Sequence, residues 1–505
     1  MRGGLNLADN ILTIDAGPKS RIAIAHIAIP DLARTTLPVA LSPVKVFRAV
    51  FDPAGTPRLR TFKGALAMTG NRFAVMAGPA LFDIQVAPVT LGLSGTRDRL
   101  QIAIEDAALT VPAYGIDATN IAVGLRMDDA AALTLSVGKI SQRGPNPIVV
   151  PLRLDATATR KGGKIAFSGR LSDRPERLSI RATGQYDIAA NSGASSIDAD
   201  LLAFLPTVLQ PGQLFPALEN TLREVDGQIG GHARLQWRAG GLVSSAELFI
   251  QLNSLKVEGA AVKNAAATIV FDSLFPLSTP PKQEIQIGRL DIGVPLIKGR
   301  VEFQIGPDGA IGAALREIDF FGGRIESPMV AIPPSLDGFS VPLLVTGVQL
   351  ESLFDLADFG DLEAAGTLNG KLELAIKNGT VALRRGVLES APGGGVIRYR
   401  PQSVGPALAN ANEGAELFLK LVEDFEYDSV RVTLNEDPPG GIASRFEIKG
   451  RNAAVYDGFP VELNISMSGP LRDILNQSIK TYTLPERLLT QIQTPGDAQG
   501  VPSGN

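Results

Sequence analysis

Apolar and polar residues alternate along much of this chain. From Val461 to Ser468 every odd position is apolar (Val461, Leu463, Ile465, Met467) and every even one polar. Val301, Phe303 and Ile305 are separated by Glu302 and Gln304, and Leu372, Leu374 and Ile376 by Glu373 and Ala375. Leu152 to Thr157 and Phe446 to Lys449 follow the same rule. A period of two marks strands with one dry and one wet face, and short turns between such strands build antiparallel meanders. Turn signals recur at Gly162-Gly163, Pro307-Asp308-Gly309, Asn378-Gly379 and Pro439-Gly440-Gly441. The pattern predicts a mainly β fold in which Val301, Phe303, Ile305, Leu372, Leu374, Ile376, Val461, Leu463, Ile465 and Met467 share the dry face. Two Gly-rich segments, 318–330 and 380–401, each read as strand, turn, strand with a charge after the glycines. Repetition of pattern without repetition of sequence points to a quasi-one-dimensional β array.

Helical spacing is scarce. Residues 199–209 and 214–222 carry it, interrupted by Pro206, Pro211 and Pro216, and 348–357, 407–425, 471–479 and 485–492 are further short candidates. With few helices, the dry faces are covered by other strands in stacked sandwiches, or one long sheet curls so that its dry face lines a trough. Alternation does not choose between these.

Composition narrows the function. The 505 residues carry a net charge of -4, which gives no basic face for nucleic acid. There is no cysteine, hence no disulfide or thiolate metal site, as suits the cytosol or an oxidising periplasm. Only His26 and His232 offer imidazole. His26 interrupts the alternation of Ile22, Ile24, Ile27 and Ile29 and reads as a β-bulge. His232 follows two glycines and reads as the start of a strand. No run approaches the roughly 20 apolar residues of a membrane helix, and the first ten residues show no signal-peptide core.

Candidate chemistry is thin. Gly393, Gly394 and Gly395 precede Val396-Ile397-Arg398-Tyr399, a strand pattern without the Lys-Ser/Thr pair or the helix of a phosphate loop, so they read as a sharp β bend. The acidic pairs Glu105-Asp106, Asp128-Asp129 and Glu423-Asp424 point to opposite faces if they lie on strands and do not converge on one substrate. Arg384, Arg385, Arg398 and Arg400 are wet-face cations that could touch phosphate. No residue is assigned as catalytic or metal-binding, and no cofactor is expected.

Residues 450–475 resemble the C-terminal signature of the YdbH family of AsmA-like, repeating β-groove proteins, matched by Gly450, Asn452, Val455, Tyr456, Gly458, Pro460 and Val461, with Ala453 in place of the usual Pro. Pro392 to Pro401, with Gly393, Gly395 and Tyr399, is similar to the family's Pro-Gly-x-Gly-x-Ile-x-Tyr segment, and Phe320 to Ile325 is in character. The likeness is dense over about 288–489 and thins over the first 200 residues. It implies a long curled antiparallel sheet forming an elongated hydrophobic groove, and intermembrane phospholipid transport. It also implies a periplasmic, cell-envelope setting in a Gram-negative bacterium, an inner-membrane anchor preceding this chain, and a small outer-membrane lipoprotein at the C-terminal end. The expected organisation is a groove segment over 1–198, a YdbH-like groove segment over 199–493 and a disordered tail over 494–505. The competing expectations are a structural or adhesive β-solenoid or sandwich with a packed core and no lipid, and a glycan-active β enzyme, which one Trp and six Tyr make a poor fit.

Overall fold

A computed structural model describes residues 3–469 apart from 353–361, 401–419 and shorter stretches at 9–10, 25–27, 30–32, 36–38, 53–57, 70–71, 78–79, 146, 239–240, 258–259, 292–294, 334–337, 378–379 and 438–440. His26, most of the 348–357 and 407–425 segments, the 471–479 and 485–492 segments and the 494–505 tail lie outside the described residues.

The fold is mainly β. Among the described residues, 35 strands belong to one sheet, and Ser273–Leu274 pairs with Leu277–Ser278 as a separate hairpin. From Leu100 to Arg316 the sheet is a plain meander. Leu100–Val111, Ile116–Met127, Ala131–Gln142, Leu152–Lys161, Lys164–Asp173, Ser179–Asp187, Ser192–Phe204, Arg223–Arg238, Gly241–Val257, Ala260–Phe271, Gln283–Asp291, Pro295–Ile305 and Ile311–Arg316 each pair antiparallel with the next. Turns such as 128–130, 162–163 and 188–191 share one margin of this meander. The connections at 112–115, 174–178 and 205–222 share the other.

Alternation in sequence becomes alternation in exposure. Between residues 152 and 171, Leu154, Ala156, Ala158, Ile165, Phe167, Gly169 and Leu171 are half-buried, while Asp155, Thr157, Thr159, Ala166, Ser168 and Arg170 are exposed. Half-buried is the informative state, because an apolar face under a second layer is buried outright. Among the described residues between 100 and 200, the buried hydrophobics are Ala118, Ile121, Val137 and Leu152 alone.

The helices expected at 199–209 and 214–222 are corrected. Residues 199–204 continue the strand Ser192–Phe204, Leu205 bridges to Leu209, and only the 3-10 turns Pro211–Gln213 and Pro216–Leu218 follow. Proline supplies no amide hydrogen, so Pro206, Pro211 and Pro216 each remove a donor a helix needs. The ladder to Arg223–Arg238 satisfies the rest of 199–204. The loop then hems its margin: Leu214 is fully buried with Leu202, Phe204, Leu209 and Val225, against Val150, Leu178 and Leu222.

The C-terminal part holds the main core. Val345, Val348, Leu368, Leu388, Phe425, Tyr427, Val430, Val432 and Ile448 are buried together, with Ala364, Ile397 and Leu421 in the same cluster. Three glycines place Ala364 and Ile397 there. Thr380–Ser390 and Gly395–Tyr399 pair with successive stretches of one strand, Phe425–Asp437. The strand-turn-strand expected at 380–401 is present, but its two strands do not pair with each other. The partner on the other side changes from Thr367–Lys377 to Leu362–Ala365 at Gly366. Gly366, Gly393 and Gly394 all have positive φ (129°, 112° and 66°), which fits a crease in both neighbouring strands.

Candidate functional site

In an antiparallel sheet, residues directly opposite one another lie on the same face. Following register from strand to strand, Ile104, Val123, Leu135, Ala156, Gly169, Ala182, Ile197, Ala233, Ala246 and Phe271 form one line. Ten strands therefore contribute ten residues without one polar side chain, over roughly 45 Å at the usual strand spacing. Two residues along each strand, or three on the first where a bulge intervenes, runs a second such line: Ala107, Ile121, Val137, Leu154, Leu171, Ile180, Ala199, Gly231, Leu248 and Ile269. On the other side run Ile102, Leu125, Leu133, Ala158, Phe167, Gly184, Ser195, Leu235 and Ser244, where the only polar members are two serines.

The reverse face inverts this chemistry. Ser136, Asp155, Arg170, Arg181, Asp198, His232 and Glu247 are in register across it. Ser136 donates to Asp155 at 2.7 Å, Arg181 reaches Asp200 at 2.6 Å, and His232 Nε2 stands 3.4 Å from Glu247. Glu105, Ser136, Asp155, Arg170 and Arg181 line a shallow depression of about 700 Å³ here. His232 sits mid-strand rather than at the strand start expected from its glycines, with its ring 5.9 Å from Phe249. Gly231 is there for another reason: a Cβ on it would stand 2.5 Å from the Glu247 carbonyl oxygen. Glu105 and Asp106 are both exposed, not on opposite faces, because a bulge between Ile104 and Ala107 shifts the register. Arg384 and Arg385 both hold Glu373, at 3.1 and 2.7 Å, and Arg398 holds Asp424 at 2.6 Å.

The residues nominated by alternation fall into two settings. Val301 continues the apolar face, in register with Leu202, Ile229, Ile250, Ala267, Ile285 and Leu315. Phe303 lies opposite Gln283 and Ala313, and Ile305 opposite Ile311. Leu372, Leu374, Val461 and Leu463 are partly buried against the C-terminal cluster. Ile376 lies opposite Phe339 and Val381. Ile465 and Met467 are placed by register opposite Phe446 and Ser444. The apolar lines over 102–271 were not nominated, except where Leu152 to Thr157 touch them. Their signal is spread over ten strands and is visible only once the register is known.

An apolar face roughly 45 Å long, with a charged reverse and no described layer over most of it, suits long apolar ligands. A family model for YdbH-like intermembrane phospholipid transport proteins matches residues 28–493. The chain belongs to the YdbH-like family. No curated protein and no solved structure matches it.

The YdbH-like family is one of lipid transport and not of enzymes, its substrate is phospholipid, and transport between membranes sets it in the cell envelope. The residues that carried the resemblance are scaffold parts of this YdbH-like chain. Asn452 is buried; its Nδ2 donates to the carbonyls of Lys420 and Leu421 at 3.0 Å each, and its Oδ1 accepts from Ala454. It thereby ties down the helical turn that supplies Leu421 to the core. Gly450 and Gly395 pass the backbones of Glu426 and Ala365 so closely that a Cβ would stand 2.2 and 2.1 Å from their oxygens. Tyr399 pairs with Leu362. Tyr456 and Gly458 form a 3-10 turn leading through exposed Pro460 into Val461–Gly469. Burial pushes the Tyr427 phenol above the usual tyrosine range, and the hydrogen bonds from Arg143 hold Asp117 below the usual carboxylate range.

Proposed function

We propose that this chain moves phospholipid by holding acyl chains on the apolar lines of the sheet while the head groups stay in water. The observation that carries the reading is the ten-residue apolar line, in register from Ile104 to Phe271. Each methylene removed from water contributes about 0.8 kcal/mol, so a chain of about 16 carbons is held strongly. Because the lining is chemically uniform from strand to strand, neighbouring positions hold a chain about equally and nothing traps it. The curl of the sheet into a groove, and the extension of the path along Val301, Phe303 and Ile305 to Leu372, Leu374, Ile376, Val461, Leu463, Ile465 and Met467, belong to the same proposal. So do the periplasmic bridge, an inner-membrane anchor preceding this chain and a small outer-membrane lipoprotein at the C-terminal end, which rest on the family resemblance.

Native mass spectrometry of the purified chain, with a photocrosslinking residue at Leu135, tests the reading. Copurified phospholipid and a lipid adduct at Leu135 are expected. A lipid-free protein giving only protein adducts would mean that the face is packed and that the chain is a structural β protein.

A further inference from the structure

The two margins of the meander differ in a way that bears on how a lipid lies on it. The margin with the 205–222 loop is sealed by buried apolar residues, Leu209 and Leu214 among them. Three of its cations are engaged, Arg143 with Asp117, Arg177 with Asp173 and Arg153 with Glu176, while the exposed Arg174 forms no ion pair among the described residues. The opposite margin is built otherwise. The outermost line of the apolar face there runs through Arg160, Ile165, Tyr186, Gly193 and Trp237, all in register. The Trp237 indole covers Gly193, where a Cβ would stand 2.4 Å from Cζ2, and its ring lies 6.3 Å from that of Phe167. Arg160 belongs to the apolar face by parity, yet its Nε turns outward to the Gly162 carbonyl at 3.1 Å. The Tyr186 hydroxyl likewise reaches the turn, donating to Asn191 at 2.9 Å. Lys161 and Lys164 stand directly opposite each other beside the 162–163 turn and are exposed; by parity they belong to the reverse face, at the edge next to Arg160. Among the described residues neither forms an ion pair. Asp187, opposite Lys164, accepts instead from the amides of Ala189 and Ala190.

Aromatic rings with one dry side and one wet end, beside unpaired cations, match the boundary between acyl chain and phosphate. Distance agrees. From Ile165 at this margin to Leu171 near the other, six residues of strand cover about 20 Å, and half a bilayer's hydrocarbon is about 15 Å thick. We infer that phospholipid rides this face with its phosphate on the margin of Arg160, Lys161, Lys164, Tyr186 and Trp237, its acyl chains running along the strands towards the hemmed margin. The inference rests on the lipid path proposed above and adds an orientation to it.

Trp237 is the only tryptophan of the chain and reports on its own position. The full chain is loaded with phosphatidylglycerol carrying a nitroxide either beside the ester or at the methyl end of the acyl chain, and loading is checked by native mass spectrometry. An indole at the chain-to-phosphate boundary is quenched at least about twofold more by the ester-proximal label. Equal quenching, or stronger quenching by the methyl-end label on a loaded protein, overturns the orientation and leaves the lipid path standing. A protein that takes up no lipid overturns both. As a second readout, Lys161→Gln with Lys164→Gln removes both charges of a like-charge pair and is expected to lower retention of phosphatidylglycerol several-fold relative to phosphatidylethanolamine. An unchanged ratio removes the two lysines from the site.

Discussion

The Tyr427 hydroxyl donates a 2.8 Å hydrogen bond to the carbonyl oxygen of Ala365, 62 residues away in sequence. The bond sits in the glycine crease. A Cβ on Gly366 or Gly395 would stand 1.8 or 2.5 Å from the phenol oxygen, and one on Gly394 2.1 Å from the Tyr427 carbonyl. Tyr427 thus fills the space that three missing side chains leave, and the crease brings Ala364 and Ile397 into the core.

Substitutions at the crease should rank by what they collide with. Tyr427→Phe loses one hydrogen bond and is expected to cost about 1–2 kcal/mol. Gly395→Val drives a side chain into the Ala365 carbonyl and the phenol, and about 3 kcal/mol or more is expected. Urea titrations of the two variants give the comparison; equal costs would mean that the crease relaxes around a side chain.

Tyr427 also predicts a response to base. Its phenol is raised by burial above the unfolded value near 10. The folded state therefore keeps its proton where the unfolded state has lost it. The associated stability is fully present below the unfolded pKa and is lost as pH rises from there through the folded pKa. Wild type should lose stability in that window more steeply than Tyr427→Phe, as measured by thermal midpoints in buffers spanning it.

On the meander, face should matter more than position. Leu135→Asp puts a charge on the apolar line and is expected to abolish lipid copurification, whereas Thr157→Asp on the exposed reverse face should leave it unchanged. Both should keep normal far-UV circular dichroism. Leu374→Asp differs in degree, because Leu135 packs against the small Ala118, Ile121 and Val137 cluster whereas Leu374 packs against the main C-terminal one. Charging a partly buried core position should lower the thermal midpoint itself, so a transfer defect there would report on folding as much as on the path.

Asn452→Ala removes two donors from the Lys420 and Leu421 carbonyls and one acceptor from the Ala454 amide. A loss of about 2–3 kcal/mol is expected, with faster hydrogen exchange at the helical turn than in the distant strands of the meander. Uniformly faster exchange would show that the tie is not local.

Much of this was legible before any coordinates. Leu152 to Thr157 read correctly as a one-sided strand, and Val461 to Ser468 as a strand, because a period of two survives in any register. Gly393 to Gly395 read correctly as a bend because no lysine, hydroxyl or helix follows them. Residues 199–209 misled, because the spacing of Leu201, Leu202, Leu205 and Leu209 imitates a helix while Pro206 and the neighbouring strand forbid one. Gly231 looked like a strand start, although its function is to let the Glu247 backbone come close.

The sequence by itself determined the strand class, the dry and wet parity of its alternating strands and the family, since these depend on residue type and short-range order. Only the tertiary structure decided that Ile104 and Phe271 share one apolar line, that one margin is hemmed while the other exposes Lys161 and Lys164, and that Tyr427 closes on Ala365. The physical reason is register. Alternation says which way a side chain faces within its own strand, but hydrogen bonding between strands sets what stands beside it, and a slip of one residue would have exchanged every apolar neighbour for a polar one.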